Sequence, residues 1–187
     1  MIDIRPATAA AWDDVADLFT RPGPRGGTPI AGQCWCQYWL TRGNAYWEGA
    51  GEGNRAALER QLRSGEAHAL LAFDGGVAVG WSRLGPRTSF ERLAHSRTLA
   101  PVDDLPVWSV VCFYVDPRAK RQGVASALLD AAVELAGEHG APALEAYAAR
   151  PHHPNIDSYT GYLPMFLTAG FEHVRDGGRR AIVRRAL

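Results

Sequence analysis

Val115-Asp116-Pro117-Arg118-Ala119-Lys120-Arg121-Gln122-Gly123-Val124-Ala125-Ser126 is the stretch from which the rest of the chain can be ordered. It begins at the end of the most apolar run, Val107 to Val115, which reads as a buried strand. Beyond it, Val124, Leu128, Ala131, Ala132 and Leu135 recur at helical spacing, so residues 123 to 138 read as a helix closed by His139-Gly140. A strand-to-helix loop leaves the first helical amides without partners, and those donors together with the helix dipole suit an anion. Gly123 and Ala125 are small enough to let a diphosphate approach the backbone, while Arg118, Lys120 and Arg121 add positive charge.

On the N-terminal side, residues 2 to 5 alternate as a short strand. Thr8 opens a helical pattern through Trp12, Val15, Ala16, Leu18 and Phe19, and a Pro- and Gly-rich loop from Arg21 to Thr28 ends it. Residues 54 to 63 read as a second helix. His68 to Phe73 and Val77 to Leu84 read as antiparallel strands joined at Asp74-Gly75-Gly76. Residues 85 to 106, with three prolines, read as an excursion outside the core. Downstream come a strand at 143 to 148, a Pro- and His-rich loop and a helix at 160 to 169, whose Pro164 requires a start close to Thr160. A hairpin, Phe171 to Val174 and Ala181 to Val183, finishes the chain, and its arginines 179, 180, 184 and 185 read as a solvated strand surface. The order predicts one α+β domain over residues 1–187: a mixed, mainly antiparallel sheet of six to seven strands flanked by helices.

Composition bounds the function. The 187 residues are 47% hydrophobic and 21% charged, which is globular composition and excludes native disorder. Twenty basic and twenty acidic residues cancel, so no net field attracts a nucleic-acid backbone or an anionic membrane surface. No stretch approaches about 18 apolar residues, the N-terminus has no signal-like pattern, and three cysteines make no disulfide framework, so the expected location is the cytoplasm. Cys34 and Cys36 with His152 and His153 lack zinc-finger spacing, and no metal is expected. Cys112, mid-strand, reads as a small buried hydrophobe.

With these residues in view, the chain resembles the GNAT N-acetyltransferase superfamily. That family's signature, Arg or Gln, two residues, Gly, one residue, then Gly or Ala, is matched by Lys120 through Ala125 with Leu128 and Leu129 behind it. The element order and Ala169-Gly170-Phe171 also agree. Lys120 departs from the pattern, keeping charge but losing the forked geometry of arginine. The resemblance implies acetyl-CoA as acyl donor, with its pyrophosphate on the segment Lys120, Arg121, Gln122, Gly123, Val124, Ala125 and Ser126. The pantetheine arm would pair with the strand edge at Phe113, Tyr114 and Val115, and a strand N–H would face the thioester carbonyl. Such a donor contributes about 3 to 4 kcal/mol to lowering an acyl-transfer barrier.

In some relatives a glutamate at the place of Glu145 serves as base. The alternative is a partly exposed strand glutamate paired with an arginine. The family's usual acid, a tyrosine four residues before the Gly-Phe pair, is Phe166 here, which leaves Tyr162, water or an unassisted thiolate for that role. Tyr159 stands where an asparagine often bonds the CoA arm; for both tyrosines simple packing is the alternative. Between residues 29 and 50, Trp35, Tyr38 and Trp39, followed by Tyr46-Trp47, are read as an acceptor-site wall or, alternatively, as a satellite core. The reading is thus an N-acetyltransferase moving acetyl to a primary amine of a small molecule by direct attack, as a monomer or homodimer, without nucleic-acid or membrane partners. The competing class is a non-catalytic acyl-CoA-binding sensor or interaction module in which Phe166 marks a lost acid.

Overall fold

The computed structural model describes residues 2–24, 26, 29, 31–150 and 158–187. In chain order the elements are β1 (Asp3–Pro6), a 3-10 turn (Ala9–Ala11), α1 (Trp12–Thr20), α2 (Ala31–Cys34), α3 (Ala45–Glu48), α4 (Glu52–Ser64), β2 (His68–Asp74) and β3 (Val77–Pro86). There follow a 3-10 turn (Arg87–Ser89), α5 (Glu91–Ala94), β4 (Trp108–Val115), a 3-10 turn (Pro117–Ala119), α6 (Val124–Glu138) and β5 (Ala143–Ala149). A 3-10 turn (Ser158–Thr160), α7 (Leu163–Thr168), β6 (Glu172–Gly177) and β7 (Arg180–Ala186) complete it. Among the described residues the strands form one seven-stranded sheet in the order β1-β2-β3-β4-β5-β7-β6. All neighbours are antiparallel except β4 and β5, so the expected α+β, mainly antiparallel architecture is the one found.

Local chemistry accounts for the connections. Asp74 pairs with Val77, so Gly75 and Gly76 alone make the β2–β3 turn, at φ 55° and 83°, angles that glycine adopts without steric cost. Parallel β4 and β5 need a crossover, and α6 supplies it. The apolar stripe of α6, Val124, Leu128, Leu129, Ala132 and Ala136, packs on one sheet face against Ala72, Val110, Phe113 and Ala146. On the opposite face α1, α2 and α4 bury Val15, Leu18, Phe19, Leu58 and Leu62 over Leu71, Trp81 and Tyr114.

Two expectations change. Residues 85 to 106 are not outside the core: Phe90, Leu93 and Leu99 are buried with Trp39, Val111, Tyr147 and Ile182. Their apolar positions are too widely spaced for a periodic signal, yet the excursion folds back over the sheet. The last helix begins at Leu163 rather than near Thr160, because Gly161 at φ 78° breaks the chain direction between the 3-10 turn and α7. Pro164 still falls in the first turn, as its missing N–H demands.

α6 approaches β3 at Gly80, where an added Cβ would lie 2.6 Å from Val124 Cγ1 and 3.2 Å from Ala72 Cβ. The β-branched Val124 has little freedom to withdraw. Gly80→Ala is therefore expected to lower the unfolding free energy by about 1–3 kcal/mol, measured by urea denaturation.

Candidate active site

The sheet is divided where the parallel β4–β5 pair ends. β4 and β5 are paired only at Trp108–Leu144, Ser109–Glu145 and Val110–Ala146. Beyond these, β4 continues along β3 as far as Gly80–Val115, and β5 continues along β7 as far as Ala149–Arg180. The two halves splay apart and leave the β4 edge from Val111 to Val115 unpaired by β5. The wedge is closed at the β5 side by the Ala149 N–H, which donates to Gly161 O at 2.8 Å. A bulge adds a second feature: Arg83 faces Cys112 but Leu84 faces Val110, so Val111 is an extra residue in β4. The bulge reverses the alternation, so that Phe113 joins the α6 face with Val110 while Cys112 and Tyr114 contact the opposite one.

At the mouth of the wedge stands the N-terminus of α6. Gly123 caps it at φ 82° with no side-chain hydrogen bond, which leaves the amides of Val124, Ala125 and Ser126 as outward donors. No atom lies within 4 Å of a Cβ built on Gly123, so the approach to those amides is open. Arg121 is also left-handed, at φ 62°, a conformation that costs a non-glycine residue energy and is kept here at an exposed loop. Asp116 anchors the loop: its carboxylate accepts from Arg118 N at 2.9 Å and from Arg21 Nη1 at 2.9 Å, while its own N–H donates to Val79 O. Burial pushes its carboxyl up, but the Arg118 N–H and the Arg21 guanidinium outweigh that and hold it below the usual range.

On the other side of the wedge is a narrow aromatic pocket. Cys112 and Tyr114 come from β4, Phe19 from α1, Cys34, Cys36, Tyr38, Trp39 and Tyr46 from the 31–46 segment, and Tyr159, Thr160 and Arg180 from the C-terminal third. Tyr159 lies 6.4 Å from Tyr114 between ring centroids. Burial, and then the negative charge of Asp116, raise the Tyr114 hydroxyl and keep it protonated at neutral pH.

Several predicted residues are placed elsewhere. Glu145 is 1% exposed and does not line the pocket. Its carboxylate accepts from Arg184 Nη2 at 2.9 Å and from the Tyr147 hydroxyl at 2.9 Å, with Arg87 Nε 3.8 Å away. With these partners it ties Arg184, Tyr147 and Arg87 together in the interior, away from the pocket lining. Arg184 is correspondingly turned inward, so the C-terminal arginines are not simply a solvated surface. Trp35 is packed in the core against Trp12 and Phe19, with Nε1 bonded to Gly32 O at 2.7 Å, and is not part of the wall that Tyr38 and Trp39 form. Tyr162 is half exposed and outside the pocket. Phe166 is fully buried between Phe113 and Phe171. His152 and His153 lie outside the described residues, and among those described no cluster of three metal-ligating side chains occurs.

A model of the Acetyltransferase (GNAT) family matches residues 12–162. The chain belongs to the GNAT acetyltransferase family. No curated protein matches it. Solved structures share the fold at low identity. PaiA N-acetyltransferase from Thermoplasma acidophilum, in complex with coenzyme A, is 13% identical with TM-score 0.57, covering 100% of this chain and 99% of its own. YncA, a putative acetyltransferase from Salmonella typhimurium with acetyl-CoA, is 17% identical with TM-score 0.54, covering 100% and 94%. An N-acetyltransferase from Staphylococcus aureus is 16% identical with TM-score 0.54, covering 100% and 98%.

Within this GNAT fold, Tyr46 lines the pocket as the aromatic segment suggested, whereas sequence reasoning missed Asp116, Thr160 and Arg180. Only Asp116, directly after the strand and before Pro117, carried a signal, that of a turn-capping carboxylate.

Two outcomes follow for this site. Glu145→Ala should lower stability by about 1–3 kcal/mol in urea denaturation, since it removes the buried acceptor of Tyr147 and Arg184 while Asp103 still holds Arg184; unaltered stability with a shifted pH–rate profile would restore it as a base. Asp116, with its folded carboxyl below the ordinary range, contributes stability that is complete at neutral pH and lost as pH falls through its folded value. Thermal melts between neutral and strongly acid pH should therefore show a weaker acid dependence in Asp116→Asn.

Proposed function

We propose that the protein is an acetyl-CoA-dependent N-acetyltransferase acting on the primary amine of a small molecule. The observation that carries this reading is the unpaired β4 edge, which runs from the uncapped N-terminus of α6 to the aromatic pocket. The residues present fit acetyl-CoA. Open amides at 124 to 126, beside exposed Lys120, Arg121 and Gln122, suit a pyrophosphate, and the strand edge at Phe113, Tyr114 and Val115 suits the amide-bearing arm.

Bound acetyl-CoA supplies an activated carbonyl and a thiol leaving group of ordinary pKa near about 8.5. The new bond is C–N and the broken one is C–S; the amine proton leaves to water, and the thiolate takes a proton from Tyr159 or solvent. No carboxylate lines the pocket among the described residues, and aromatic walls with Arg180 disfavour an ammonium, so the acceptor is held as the neutral amine. Of the candidate tyrosines 159 and 162, Tyr159 is the one that lines this space, and its hydroxyl is the candidate proton donor.

Phe166 and the neutralised Glu145 favour the second reading, a binding module without turnover. Such a module binds the thioester yet releases no free CoA with any amine.

Calorimetric titration with acetyl-CoA should give micromolar affinity that is lost in Gly123→Trp, which fills the open approach to the amides; retained affinity would displace the site. The rate, kcat/KM, should rise with pH up to the acceptor amine's own pKa, and Tyr159→Phe should lower kcat by about 100-fold if its hydroxyl donates. Wild-type kcat in that variant would return Tyr159 to packing.

A further inference from the structure

Next to the aromatic pocket lies a second, more open cavity of about 360 Å³, which shares Tyr38, Trp39 and Arg180 with it. The first cavity is only about 70 Å³. Ligand pockets commonly span about 300–1,000 Å³, so an acceptor whose amine enters the first must extend its remainder into the second. The chemistry of the second is one-sided. Arg42, Arg92 and Arg180 line it together with His95, Ser96 and Thr98, and no carboxylate does among the described residues.

The arginines differ from those elsewhere on this face. Arg184 is held by Glu145 and Asp103, and Arg87 by Glu145 and the carbonyls of Leu93 and Leu99. Arg42 and Arg92, by contrast, meet no carboxylate within 4 Å among the described residues. Arg92 is nevertheless oriented: its Nε donates to Tyr38 O, and its guanidinium lies 4.2 Å from the Tyr38 ring centroid, while its Nη groups have no recorded acceptor among those residues. A fixed guanidinium with spare donors beside a second arginine is a fork for an oxyanion. In a chain of zero net charge, such a local excess is not a consequence of composition.

We propose that the acceptor is a small amine that also carries an oxyanion, a carboxylate or phosphate, which Arg42 and Arg92 bind in the cavity beside the aromatic pocket. This rests on the N-acetyltransferase reading for the role of the amine, but the anion site is testable without turnover. The oxyanion would also orient the amine toward the β4 edge, since the two cavities meet at Tyr38 and Trp39.

Binding to the CoA-saturated protein is measured by calorimetry for L-phenylalanine against phenethylamine and L-phenylalaninamide, and for phosphoethanolamine against ethanolamine. At least one anionic member should bind about tenfold or more tightly than its counterparts that lack the oxyanion, and which pair shows the difference separates carboxylate from phosphate. In Arg42→Gln and Arg92→Gln the ratio should fall toward one, and Arg92→Lys, which keeps the charge, should recover part of it. Equal affinities across both pairs, absence of binding by every anionic member, or a ratio unaffected by both Gln variants overturns the proposal. Anion-selective binding without CoA release would leave the anion site standing and remove the transferase reading. Acetylation of phenethylamine or ethanolamine without preference for the anionic partner would do the reverse.

Discussion

Three residue pairs hold the two halves of the sheet together, and the rest of the site depends on their number. Parallel pairing of β4 with β5 is enforced by the α6 crossover, but each strand has a longer antiparallel neighbour on its other side. Those longer ladders carry their strands along separate paths, so the parallel pair ends at Val110–Ala146 and a wedge opens. Were the pairing to continue, the main-chain groups of Val111 to Val115 would be consumed by the sheet. Because it stops, they stand available between the helix N-terminus and the aromatic pocket.

The bulge at Val111 determines what each side of that wedge contacts. A regular strand would have placed Cys112 and Tyr114 on the α6 face with Val110; one extra residue exchanges them with Phe113. Phe113 then closes the core over Phe166 and Phe171, and Tyr114 becomes pocket lining near Tyr159. One backbone irregularity thus serves both packing and site.

Charge on the pocket face is divided in the same way between structure and availability. Glu145, Arg184, Arg87 and Tyr147 form a hydrogen-bonded, ion-paired group that pins the 85–106 excursion to the sheet. Arg83, 3% exposed, is bonded to Gln61 Oε1 at 2.8 Å. These ions are internal supports: removing one partner strands the other in a medium that solvates it poorly. Arg42 and Arg92 line the more open cavity beside the aromatic pocket and meet no carboxylate among the described residues, the basis of the proposed anion site.

Local pattern alone was enough for the elements with a period or a turn rule. α6 was readable to within a residue because its apolar stripe and flanking glycines are local, and the β2–β3 turn because two glycines supply positive φ. The phosphate-suited loop was readable for the same reason, since its donors belong to consecutive residues. The surroundings of Glu145 and Trp35 were not readable because strand alternation and aromatic density do not say which partner arrives from a distant segment: Arg184 lies 39 residues from Glu145. Likewise, Val107 to Val115 is apolar throughout, so no alternation marked the bulge or the faces it exchanges. The aromatic pocket and its arginine-lined neighbour draw on residues from α1, the 31–46 segment, α5, β4 and β7. Their assembly depends on the splay of the sheet and the packing of long excursions, long-range contacts that no sequence period encodes.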